Sequence, residues 1–316
     1  MSKSAMIALV LALGLASATL TGCSNTAPTL WTKGSGPIKI VASTNVWGSI
    51  AHLVAGKSAT VSALIANVNQ DPHSFEATAR DQLAVNEADI VVLNGGGYDD
   101  FMLTLISADP TPAVVVNAFD SAGKAAPMND KNRNEHIWYS VPQVASVAKV
   151  IGSSVDQALG EAQTSQSEKL RSELQSSMSG FLSELNERKS KLATLKSAGN
   201  CGRVFASEPL IDYLLEDAGC VNVTPVAYSR AIEEERDVPP AVMNQVKKIL
   251  QSDIDFLALN SSVTSPQIYA LMPDENSSIP IYGFGELLEQ DPDTLEYYGD
   301  YLTMLDDAIK TVEGKF

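Results

Sequence analysis

From residue 38 onward, short β-branched runs alternate with amphipathic stretches. Residues 38–42 read as a strand, 46–55 as a helix, 60–65 as a strand, 78–87 as a helix, 89–93 as a strand, 101–107 as a helix and 113–116 as a strand. Strands separated by helices predict parallel pairing, because each helix carries the chain back to start the next strand in the same direction. A polar, turn-rich stretch, 120–135, interrupts the rhythm. From Pro142 to about Lys196, Gly and Pro are scarce. Leu170, Leu174, Met178, Phe181, Leu185 and Leu192 recur there at steps of three, four or seven, which places them on one face of a helix with Glu173, Glu184, Arg188 and Lys189 off the stripe. This predicts one long helix whose stripe packs against both flanking lobes, since the heptad spacing persists for too few turns to make a coiled-coil seam.

The alternation then resumes, with strands expected at 202–206, 221–223, 254–260 and 279–282 and helices at 209–218, 239–251 and 294–312. The expected fold is α/β: two lobes, each a mostly parallel sheet flanked by helices, joined by one long rigid helix. The first lobe covers 38–140, the linking helical region 141–197 and the second lobe 198–316.

The amino terminus adds a compartment. Lys3 is followed by an uncharged apolar stretch, 5–20, and then by Leu20-Thr21-Gly22-Cys23. The stretch is short for a membrane span and fits the hydrophobic region of an export signal. Leu-Thr-Gly-Cys resembles the lipobox of bacterial lipoproteins. That resemblance implies a signal peptide over 1–22, diacylated Cys23 as mature N-terminus, a lipidated tether over 23–37 rich in Ser, Thr, Gly and Pro, and an extracytoplasmic location anchored to the cell membrane. The membrane is then met through the lipid only.

The chain has 316 residues, 22 basic and 38 acidic side chains, a net charge of -16 and 45% hydrophobic content, enough for a substantial core. This excess of negative charge repels phosphate backbones, so no nucleic-acid partner is expected and cations are the natural ones. With Cys23 lipidated, Cys201 and Cys220 remain. In an exported chain they are a disulfide candidate, the alternative being two reduced, buried thiols.

Of three histidines, His52 falls inside the first predicted helix and reads as packing. His73, in Asp71-Pro72-His73-Ser74-Phe75-Glu76, and His136, in Asn134-Glu135-His136-Ile137-Trp138, fall in loops just beyond predicted strands, where ligands collect in open parallel sheets. Asn94-Gly95-Gly96-Gly97 lacks the spacing of a phosphate-binding loop and reads as a tight turn. Glu233-Glu234-Glu235 reads as a solvated face. There is no Gly-x-Ser-x-Gly, His-Glu-x-x-His or Walker sequence, so an enzyme is not expected.

The two histidine motifs, in this order and separated by a strand-helix-strand unit, resemble the first two metal-ligand motifs of the manganese- and zinc-binding substrate-binding lipoproteins of ABC transporters, the family 9 type of solute-binding protein. The resemblance implies capture of a divalent transition metal between the lobes and delivery to an ABC permease with a separate ATPase, by a monomer. It implies a third ligand just after the first strand of the second lobe, where Glu208 stands in Ser207-Glu208-Pro209. A fourth follows the last strand, where Gly283-Phe284-Gly285-Glu286 offers Glu286, with Glu289 or Asp291 as alternatives should the register differ. Two imidazoles and two carboxylates would neutralise a dication, and without it the carboxylates would repel, so metal binding is expected to draw the lobes together. Glu at 208 leans toward Mn2+ over Zn2+ on ligand hardness. The resemblance implies a His-rich loop in many zinc-specific members, whose absence from 120–135 leans toward manganese or toward a zinc carrier without that loop. Two other readings use the same scaffold: a metal-dependent hydrolase, which needs an open coordination position that four protein ligands leave scarce, and a surface adhesin.

Overall fold

β-branched runs with little polar content become strands, of which those at 40–44, 90–93 and 256–260 are buried on both faces. The computed structural model describes residues 29–30, 38–109, 113–123, 134–160, 165–199, 201–234, 236–262, 279–290, 297 and 299–314. Cys23, the signal segment 1–22, Asp291, most of the polar loop and the predicted start of the last helix lie outside them. β1 (Thr29–Leu30), β2 (Ile38–Thr44), β3 (Ala59–Ile65), β4 (Ile90–Leu93) and β5 (Val114–Asn117) form one sheet in the order β1-β3-β2-β4-β5. β3, β2, β4 and β5 are parallel, and β1 joins the β3 edge antiparallel. Part of the stretch expected to be a tether therefore carries an edge strand.

A second sheet, parallel throughout, has β6 (Arg203–Ala206), β7 (Val221–Asn222), β8 (Phe256–Asn260) and β9 (Ile281–Phe284) in the order β7-β6-β8-β9. β9 begins two residues later than the sequence suggests. Pro280 has no N–H to give to a ladder, although its carbonyl accepts from Leu257 N–H.

The helices are α1 (Asn45–Ala55), α2 (Ala79–Asn86), α3 (Asp100–Ala108), a single turn α4 (Ala118–Ser121), α5 (Val141–Ala158), α6 (Ser165–Ala198), α7 (Asp212–Ala218), α8 (Val226–Glu233), α9 (Pro240–Leu250) and α10 (Tyr301–Val312). At the start of α2, Thr78 and Asp81 make a reciprocal capping box. The region expected to be one helix is two. α5 ends at Ala158, and Gly160, at φ +68°, takes a left-handed conformation that a continuing helix does not allow. The link between lobes is α6, 34 residues and about 51 Å long. Leu170, Leu174, Phe181, Leu185 and Leu192 are buried as the spacing predicts. Arg188, expected off the stripe, is buried too: its guanidinium donates to Glu184 Oε2 (2.8 Å) and to Asp306 Oδ2 (2.5 Å), tying α6 to α10.

One hydrophobic core runs through both lobes, from Ile40, Trp47 and Ile151 through Phe181 and Leu185 to Leu214, Phe284 and Ile309. Cys201 and Cys220 are joined by a disulfide, their Cα atoms 4.8 Å apart, which fastens the start of β6 to the loop before β7. No helix among the described residues is long and apolar enough to cross a membrane.

Candidate metal centre

Parallel strands end on the same side of a sheet, so the loops after them converge. The loop after β3 carries His73, and the turn after β4 carries Tyr98. In the second sheet Glu208 follows β6, Asn260 closes β8 and Glu286 follows β9. His73, Glu208 and Glu286 line one pocket of about 120 Å3 together with Asp71 and Glu233, and no Lys or Arg is among the described residues lining it. His136, at the head of a 3-10 turn (Ile137–Tyr139), reaches the same place: its Nε2 lies 3.5 Å from Glu233 Oε1.

Both imidazoles are oriented by an oxygen two residues earlier. Asp71 Oδ1 accepts from His73 N–H (2.9 Å) and lies 3.2 Å from Nδ1. Asn134 Oδ1 accepts from His136 N–H (2.9 Å) and lies 2.9 Å from Nδ1. An atom receiving a backbone N–H is an oxygen and cannot donate, so Nδ1 of His136 carries the proton and Nε2 is left with its lone pair. Asn134 is itself held, donating to Pro209 O (2.7 Å) while its own carbonyl accepts from Tyr213 OH (2.9 Å).

The glycine turn after β4 is a positioning device. Gly95, at φ +74°, passes so close to the Asn117 side chain that a Cβ would collide with it. Asp99 caps the turn by accepting from Asn94 N–H (2.6 Å) and Gly95 N–H (2.8 Å), and Asn94 Nδ2 donates to Glu135 O (3.0 Å). The turn delivers fully buried Tyr98, whose ring meets those of His73 (centroids 5.0 Å apart) and His136 (6.0 Å) edge-on and whose hydroxyl lies 3.4 Å from Glu286 Oε2. Asn260 Nδ2 donates to both Glu208 Oε2 (2.9 Å) and Glu286 Oε1 (2.7 Å), holding two buried carboxylates side by side.

These contacts set the protonation. Burial opposes a charge on His73, but Glu135, Glu233, Glu286 and Asp71 outweigh it and raise its pKa to about 9. Complete burial lowers His136 to about 4. Burial, then the charge of Glu135, pushes Glu233 up to about 9. Burial beside Glu208 raises Glu286 to about 7, and burial raises Glu208 as well. A pocket that holds protons on carboxylates at neutral pH is short of positive charge, and a dication would supply it.

The predicted residues do not all stand at one distance. Among the described residues, donor atoms of His73, Glu135 and Glu233 lie within 4.8 Å of one another, with His136 beside Glu233. Glu208 and Glu286 line the same pocket and are tied to each other through Asn260. Glu289 is exposed and lines a different cavity, of about 220 Å3. Glu233 was read from sequence as surface. Its helix, α8, is short and follows Pro225, and only Tyr228 and Ala231 on it are buried, too few apolar positions for a periodic signal.

A family profile described as zinc-uptake complex component A, periplasmic (ZnuA), matches residues 40–314. The chain belongs to this family. It is a substrate-binding component of ABC transport for divalent metal, not an enzyme. The manganese ABC transporter substrate-binding lipoprotein PsaA of Streptococcus mitis is 24% identical over 291 residues, 88% of this chain and 89% of that protein. The manganese-binding lipoprotein MntA of Halalkalibacterium halodurans is 27% identical over 115 residues, 36% of this chain and 37% of its own length. The periplasmic zinc-binding protein TroA of Treponema pallidum has the same fold, with a TM-score of 0.67 at 16% identity, covering 88% of this chain and 99% of that one. As a substrate-binding component of ABC transport the chain is extracytoplasmic, and that role implies a permease and an ATPase as its partners.

Proposed function

We propose that this chain captures Mn2+ in preference to Zn2+ as its physiological cargo, with His73, His136, Glu208 and Glu286 as ligands, and hands it to the permease as a monomer held to the membrane through diacylated Cys23. One observation carries the ligand reading: Nε2 of both histidines faces the same spot, each within 4 Å of Glu233 Oε1, in a pocket lined by second-lobe carboxylates without a basic side chain. Oxygen donors outnumber nitrogens around that spot, which suits manganese better than a purely imidazole and thiolate set would. The relatives named for manganese, PsaA and MntA, point the same way. Lipid anchoring is supported by Leu20-Thr21-Gly22-Cys23 and by the lipoprotein relatives.

The test is calorimetric titration of metal-stripped mature protein with each ion. His73→Ala is expected to weaken binding by at least about 100-fold, more than loss of an orienting residue costs. Unchanged binding, or no binding tighter than millimolar in the parent, overturns the reading. Intact mass of the membrane-extracted protein checks Cys23: the mass of an acylated chain starting there is expected.

A further inference from the structure

Glu233 Oε1 and His136 Nε2 are both buried and both lack a hydrogen-bond partner. With the proton of the fully buried His136 ring fixed on Nδ1, its Nε2 lone pair faces a carboxylate oxygen at 3.5 Å. Two lone pairs so placed repel unless something positive lies between them. A shared proton would draw the atoms to about 2.7–2.9 Å. A cation bound at about 2.1 Å by each donor holds neighbouring donors about 3.4 Å apart in a tetrahedron and about 3.0 Å apart in an octahedron. The spacings here are 3.5 Å to His136 and 3.8 Å from Glu233 Oε1 to His73 Nε2, up to a few tenths of an ångström wider than a tetrahedral edge and wider still than an octahedral one, so that a bound cation would draw the donors in, and too long for hydrogen bonds. Glu135 reaches only His73 in this way, at 3.7 Å. Among the described residues, Glu233 is the carboxylate that stands within 4 Å of both imidazoles.

We propose that Glu233, carried into the cleft at the end of α8, is a further ligand of the transported cation and the residue that biases the site toward Mn2+ over Zn2+. The inference rests on the reading of His73 and His136 as ligands. With Glu208 and Glu286 it brings the donors to five, three of them carboxylates. Zn2+ is satisfied by four donors in a tetrahedron, whereas Mn2+ gains from added oxygen donors and higher coordination. α8 packs on the 3-10 turn Pro209–Ile211 and on α9, so the ligand is fixed to the element that follows Glu208.

The test is titration of the metal-stripped mature chain with MnCl2 alone and with ZnCl2 alone, for the parent, Glu233→Gln, Glu233→Asp and His136→Ala, with thermal melting of each metal-free variant. Glu233→Gln is expected to weaken Mn2+ by at least about 10-fold and Zn2+ by no more than about 3-fold. Glu233→Asp, which keeps the carboxylate on a shorter arm, returns the ratio of the two affinities toward that of the parent. His136→Ala weakens both ions. No loss in Glu233→Gln, or a loss as large for zinc as for manganese, overturns the inference while His136→Ala still upholds the site. Parent-like binding by His136→Ala overturns the site itself.

Discussion

Asp71 and Asn134 do the same work for two histidines that lie far apart in the chain: each sits two residues back, takes the backbone N–H and steers Nδ1 away from the cleft. His73 and His136 were legible in the sequence as loop histidines after strands. Their orienting oxygens were present in the same motifs but gain meaning only once the turn geometry is known. Asn134→Ala is expected to lower metal affinity by about 10- to 100-fold in titration while both imidazoles remain, because the ring loses its fixed tautomer. Affinity also depends on pH with a definite sign. His73 and Glu233, near 9, and Glu286, near 7, hold protons that the metal must displace, so affinity falls as pH is lowered from about 9 to about 6. His136, near 4, is already unprotonated there and adds nothing. Calorimetry in two buffers of different protonation enthalpy should report proton release at pH 7, and an affinity flat across that range would contradict the assignment.

At the scale of elements, hydrophobic spacing placed nearly every strand and helix, because the signals it uses, short β-branched runs and period-3.6 burial, are the ones the central strands of the two sheets and α6 obey. It missed what spacing does not encode. The break after α5 depends on one left-handed glycine, Gly160, in a stretch otherwise suited to helix. Arg188 is buried because Asp306 of α10 waits for it, a partner 118 residues away. α8 is too short to announce itself, and the ligand proposed here went unread with it. Leu185, fully buried at the middle of α6, should cost about 2–5 kcal/mol when changed to Ala, measured by denaturant unfolding. Replacing both Cys201 and Cys220 by Ser should cost about 3 kcal/mol, the loop-closure value for a separation of 19 residues, and leave metal affinity intact, since neither touches the pocket.

Across the whole molecule, the lobes are joined by more than α6. Asn45 donates to Leu288 O (2.9 Å) and accepts from Leu288 N–H (2.9 Å). Ser49 accepts from Tyr301 N–H, Tyr301 OH donates to Trp138 O, and Tyr139 OH donates to Gly285 O. These bonds lie in the core shared by both lobes, so a wide hinge opening would expose apolar surface and break buried hydrogen bonds together. Contrary to the closure of the lobes expected from the sequence, metal capture is therefore expected to move the loops and α8 around the pocket more than the lobes themselves, with the radius of gyration from solution X-ray scattering changing by less than ~1 Å. The central claim is that two imidazoles from the first lobe and carboxylates from the second meet on one cation. Anomalous diffraction at the manganese and zinc edges, from crystals of the metal-loaded protein, tests it most directly. The account predicts a single peak about 2.0–2.3 Å from Nε2 of both His73 and His136, with oxygens of Glu208, Glu286 and Glu233 completing the shell; a peak that leaves either imidazole uncoordinated would contradict it.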